Sequence, residues 1–205
     1  MSSIYDPCPC NSGKKYKFCC NNCFKRLSPI ASAQKAVDYP LHDCVATSDW
    51  RGASQGLATV VLSRKMPNGN YILGSYLVDT WCLGVKNTFL HWDVKHSEIG
   101  FYKQFDNNPI SYEDARSLIL GALDYAKNIK IEPTEEDWDF TQYFIESKLP
   151  YIDKFTFGKN GKPHYYPGPR DENLEEVIAK VYSAGGTFQI PFELDGFIGR
   201  LESID

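Results

Sequence analysis

The sequence has no uninterrupted apolar run approaching the ~18 residues of a membrane-spanning helix, which excludes a helical membrane protein. It has no internal repeat and no low-complexity tract, so neither a solenoid nor a compositionally biased chain is expected. The opening stretch, MSSIYDPCPC, has neither a basic leader nor an apolar segment. No secretion signal is therefore expected, and the cytosol is the default location. No match to G-x-x-x-x-G-K-[ST] occurs, and the superficially similar Ser12-Gly13-Lys14-Lys15 follows no strand pattern, which argues against a phosphate loop.

What the 205 residues do contain is enough apolar material for a packed core, with 42% hydrophobic and 14% aromatic residues. That composition excludes wholesale disorder and suits one ordinary domain with a small appendage. Net charge is −4, unevenly spread. Through Lys35, six basic residues (Lys14, Lys15, Lys17, Lys25, Arg26 and Lys35) face Asp6 alone, leaving 16 basic and 25 acidic residues in the rest. A basic head on an acidic body points to an anionic partner for the head. The plainer reading is that the lysines offset the charge of metal-bound thiolates.

Seven cysteines are present, and five of them (Cys8, Cys10, Cys19, Cys20 and Cys23) fall within sixteen residues; Cys44 and Cys82 stand apart. An odd, clustered set argues for metal binding over a disulfide framework. The first four follow the pattern C-x-C, eight residues, C-C. Four thiolates satisfy a tetrahedral zinc ion and leave no open coordination position, so such a zinc would be structural. The eight-residue spacer is long enough for the chain to reverse, with Asn11, Ser12 and Gly13 supplying the turn. Pro7 and Pro9 stiffen the approach and reduce the entropy lost on metal capture.

These residues, Pro7-Cys8-Pro9-Cys10, Ser12-Gly13-Lys14-Lys15-Tyr16 and Cys19-Cys20, resemble the SEC-C motif, the small zinc module at the C-terminus of the bacterial translocase ATPase SecA. The resemblance implies Zn2+ held by Cys8, Cys10, Cys19 and Cys20. It also implies a docking role, toward a protein such as the export chaperone SecB or toward ribosomes. Asn11 and Asn21 stand where the family often has Gly, and Cys23 is an extra thiol that competes with Cys20 for the fourth position.

Three parts are expected: a zinc knuckle over 1–24, a linker helix over 25–40 and an α+β domain over 41–205. Pro29 suits a first helical turn, and Tyr39-Pro40 closes the helix. In the α+β domain, runs 56–66 and 70–84 flank Pro67-Asn68-Gly69 and predict a β-hairpin. In the second run Ile72, Gly74, Tyr76, Val78 and Thr80 share one face, with Leu73, Ser75, Leu77, Asp79 and Trp81 on the other. Helices are predicted over 111–128, capped by Ser111, and over 134–147, entered through Thr134 and three acidic residues. A second hairpin is predicted over 154–168 with Asn160-Gly161 at its tip, then a helix over about 171–183 and an edge strand within 187–194. The stretches 56–69, 76–87 and 157–169 resemble an uncharacterised bacterial family that often carries a SEC-C module, a resemblance that implies no activity.

Several residues of this domain carry potential chemistry. Cys82 or Cys44 paired with a histidine would make a hydrolase-like nucleophile, and His42, Cys44, His91 and His96 have the donor types of a second metal site. The plainer reading is two buried apolar thiols and structurally satisfied histidines. Asp79, in an apolar strand, calls for an ion-pair partner in Lys86 or Arg64, or for a catalytic role. The loop 158–166, with Lys159, Lys162 and its aromatics, reads either as a phosphate- or base-binding loop or as a basic hairpin tip. An acidic domain argues against a broad nucleic-acid surface. Three functions therefore stand open: a zinc adaptor, a ribosome- or RNA-associated factor using Lys14, Lys15, Lys17, Lys25 and Arg26, and an enzyme with its site in 41–169.

Overall fold

The computed structural model describes Pro7, residues 13–15, 29–51, 55–103, 107–133, 138–168, Asp171 and 173–189. The expected α+β class is present: helices pack on a five-stranded antiparallel sheet of order β4-β3-β2-β1-β5. Its strands are β1 (Leu41–Thr47), β2 (Leu57–Lys65), β3 (Tyr71–Asp79), β4 (Gly84–Val94) and the short β5 (Asn107–Pro109). The predicted hairpin joins β2 to β3 in unbroken register from Leu57↔Asp79 to Lys65↔Tyr71. Its turn is closed by Met66 N–H donating to the Asn70 carbonyl at 2.8 Å and Gly69 N–H donating to the Met66 carbonyl at 3.0 Å.

Period-two alternation sorts the sheet into two faces. Cys44, Ala46, Ala58, Val60, Leu62, Ile72, Tyr76 and Val78 form the main core with helix α2 (Tyr112–Asn128) and helix α3 (Trp138–Phe144). The alternate residues Val45, Val61, Tyr71 and Leu73 face the other way, beneath Ile99 and Tyr102 of a 3-10 stretch, His96–Lys103. Helix α2 presents Ala115, Leu118, Ile119, Ala122 and Leu123 to the core at i, i+3, i+4, i+7 and i+8. Its cap is as predicted: the Ser111 hydroxyl accepts from Asp114 N–H at 2.9 Å. Phe144 of α3 is fully buried and rests on Gly74, where a Cβ would approach its ring to 2.6 Å. Full burial of such a side chain stabilises by roughly 1.5–3 kcal/mol.

Helix α1 (Pro29–Ala36) falls inside the expected 25–40 segment, and its Ala36 joins the main core. Arg64 ties the chain after α1 to β2, donating through Nη1 to the carbonyls of Val37 and Tyr39, both at 3.0 Å. A satellite core at one end of the sheet gathers Cys82, Ala126, Ile131 and Tyr165 with Ile178 and Val181 of helix α4 (Leu174–Ser183).

Two expectations need correction. The segment 154–168 turns at its tip, where Asn160 (φ 55°) and Gly161 (φ 77°) sit beneath a Lys159↔Lys162 bridge. Its arms do not continue as a hairpin, because β6 (His164–Tyr165) pairs in parallel with β7 (Thr187–Phe188), inside the predicted 187–194 strand. Among the described residues the second predicted helix is regular over Trp138–Phe144 and ends three residues before the expected Ser147; Thr134 and its acidic neighbours lie outside the described residues, as do Pro191 and the chain beyond it.

Candidate functional site

The proposed cysteine–histidine chemistry is dispersed. Cys44 points into the main core, while its neighbour Val45 belongs to the opposite face. Burial, reinforced by Asp43, pushes the Cys44 thiol up to about 12. Cys82 is fully buried among Ala126, Ile131 and Tyr165, and burial with the nearby Asp79 raises its thiol further still. Neither thiol is available as a thiolate nucleophile near neutral pH.

The four residues considered for a second metal do not converge. His42 and His96 lie with ring centroids 6.2 Å apart, both against Tyr71. His91 packs instead on Tyr102 at 4.3 Å, and Cys44 is across the sheet. Among the described residues no group of three or more His, Cys, Asp or Glu could hold a metal ion. His164 is satisfied by Thr187, Nδ1 to Oγ1 at 2.7 Å.

Asp79 is buried, as its place in β3 implied, but its partners are not the cations expected. Its Oδ1 accepts from the backbone N–H groups of Trp81 at 2.9 Å and Cys82 at 3.0 Å, closing the turn between β3 and β4. Burial raises its carboxyl to about 6, against the lowering pull of those N–H donors and of Lys86. Lys86 itself pairs with Asp171 at 2.8 Å, whose other oxygen accepts from Tyr165 Oη and Gly168 N–H. Arg64 pairs with Glu146 at 3.6 Å and donates through Nη2 to the Tyr112 hydroxyl at 3.0 Å. Asp79 is thus a turn-forming carboxylate, a role that its spacing of two residues before Trp81 could have disclosed.

The N-terminal cysteines Cys8, Cys10, Cys19, Cys20 and Cys23 lie outside the described residues. Their described neighbours show the chain reversing: Pro7 and Lys15 form an antiparallel bridge. Gly13, within the reversal, has φ +72°, a conformation that side chains beyond Gly and Asn adopt at a cost. Lys14 and Lys15 are exposed. A turn of this kind between C-x-C and C-C is what two cysteine pairs sharing one ion require, and an all-sulfur donor set suits zinc.

Residues 6–22 match the SEC-C motif. The match covers the stretch that carries the expected SEC-C resemblance, and it supports a metal-binding or interaction role for that module. Neither a curated protein nor a solved structure matches the chain. Among the described residues no helix is long and apolar enough to cross a membrane.

Proposed function

We propose that this chain is a zinc-binding interaction protein: its basic SEC-C module docks a protein partner, and the α+β body carries or presents a second function. The observation that carries the reading is the SEC-C match over residues 6–22, laid on a chain reversal at Pro7 and Lys15. Cys8, Cys10, Cys19 and Cys20 are the proposed ligands, with Cys23 the competitor for the fourth place. Zinc would supply a cross-link to a segment too short to bury a core of its own. The exposed Lys14 and Lys15, with Lys17, Lys25 and Arg26, favour an acidic docking face on the partner, for which the chaperone SecB and the ribosome are the two sources the motif suggests.

The test is paired. Cys8→Ser with Cys10→Ser is expected to release the bound zinc, measured by elemental analysis, and to abolish capture of the partner from a native extract. Capture that survives loss of the metal would overturn the docking role. Ribosome binding that weakens steeply with salt, through counterion release, would instead assign the lysines to RNA.

A further inference from the structure

A cleft opens where the main core meets the segment after Tyr151, outside the SEC-C module. Its floor is buried Trp50, Thr80, Leu118 and Phe157, and its walls are the half-buried Trp81 and Phe155. The space amounts to about 80 Å³. At roughly 10–15 Å³ per water, that is room for one small planar ring and not for a long chain or a dinucleotide.

The cleft is held in shape by backbone. Thr80 N–H and its hydroxyl both donate to the Gly56 carbonyl, at 2.7 and 3.1 Å, and Gly158 N–H donates to the Thr80 carbonyl at 2.9 Å. Gly56, at φ +72°, lies directly beneath Trp81: a Cβ there would come within 2.3 Å of the indole. Trp50 and Phe155 meet edge to face at 5.4 Å. Trp81 is therefore seated on backbone through one face, and Trp50 is fixed in the floor by Phe155.

Two cations stand at its mouth, with Asp114 acting electrostatically on Arg51 from outside the lining. The Arg51 guanidinium stands 4.9 Å from the centre of the Trp50 ring, and Lys159 Nζ stands 4.9 Å from the centre of the Trp81 ring. Lys154, near Phe155, is already engaged by Asp114 at 2.8 Å and Glu113 at 3.0 Å. Among the described residues Arg51 and Lys159 form no ion pair, and no carboxylate lines the cleft. A cationic ligand would meet two like charges at the mouth. A neutral ring would leave them unused. The Thr80 hydroxyl, spent as a donor on Gly56, keeps an acceptor lone pair for a ring N–H.

The geometry points to a nucleotide site: one base enters the cleft against the half-buried Trp81 and Phe155, above the Trp50 floor, and its phosphate lies between Arg51 and Lys159 at the mouth. A free nucleotide and one residue of a single strand present the same ring and phosphate, and both fit this chemistry. The site also gives a role to the 158–166 loop, whose Lys159 supplies the cation, while Tyr165 turns fully inward to the satellite core.

The test is titration of full-length, zinc-loaded protein with uridine monophosphate, followed by tryptophan fluorescence. Saturable quenching is expected, weakening with salt as roughly one phosphate's counterions are released. Arg51→Glu and Lys159→Glu change exposed side chains only, and each is expected to weaken binding by about tenfold or more. Trp81→Ala is expected to weaken it by roughly 5- to 150-fold, the range for loss of one stacking partner, with an unchanged circular dichroism spectrum as the folding control. A short uridine RNA separates the sources: tighter binding than the monophosphate assigns a strand, equal binding a free nucleotide, and either supports the site. Uridine or phenyl phosphate binding as well as the monophosphate would overturn it, as would wild-type affinity in both charge-reversed variants or no response to any of these probes.

Discussion

Asp79 shows how one side chain can be both necessary and costly. Its carboxylate organises the turn after β3 by accepting two backbone N–H bonds, yet it does so inside the protein, where burial raises its ionisation to about 6 from an ordinary 3.8. The sign follows from linkage: a carboxyl whose folded value is raised contributes most below the unfolded value, and that contribution is lost as pH rises through about 6. Asp79→Asn keeps a carbonyl acceptor for Trp81 and Cys82 without the charge. The variant is expected to gain about 2–3 kcal/mol on the wild type between about pH 4 and pH 7, measured by urea unfolding of both proteins at each pH. Parallel stability profiles would mean that Lys86 compensates the buried charge in full. The same environment keeps Cys82 the buried apolar thiol of the plainer sequence reading: it shares the burial without the N–H donors, and its thiol is raised.

At the level of elements, α2 is the best determined by its own residues. Ser111 closes its first turn and its apolar positions repeat at helical spacing, so local and tertiary preferences agree. Ser111→Ala is expected to lower stability by about 1 kcal/mol in chemical denaturation, with no change in the folded circular dichroism spectrum. A loss below a few tenths would show that Asp114 N–H finds water as readily as the hydroxyl. The β2–β3 hairpin was equally legible, because Pro67-Asn68-Gly69 separates two alternating runs. Strands β1 and β4 were not. Only part of each is buried, and β4 mixes Lys86, Asn87, His91 and Asp93 with its apolar residues, so its alternation dissolves into a polar pattern. The parallel pairing of His164–Tyr165 with Thr187–Phe188 was illegible for another reason: two-residue strands have no period, and their partnership is set by α4 folding back between them.

For the whole molecule, the cysteine pattern made the N-terminal module readable, while the aromatic cleft was not, since Trp50, Trp81 and Phe155 are far apart in sequence and meet only through the sheet and α2. Among the described residues the main core is built from Ala36 onward, with Cys44 part of it, and the five N-terminal cysteines lie outside the described residues. With a core and a hairpin ladder of its own, the body is expected to keep hydrogen-exchange protection in β2, β3 and α2 when zinc is chelated, while amides of the first twenty or so residues are deprotected; collapse of the sheet's protection would show that the body leans on the metal. The ladder between β3 and the outermost strand β4 slips register twice, at Tyr71/Leu73 and at Leu77/Val78. An irregular flank offers no straight rail for a stranger's backbone to zip onto. Self-association by strand exchange is discouraged at this side, and a visiting chain would have to be gripped by its side chains.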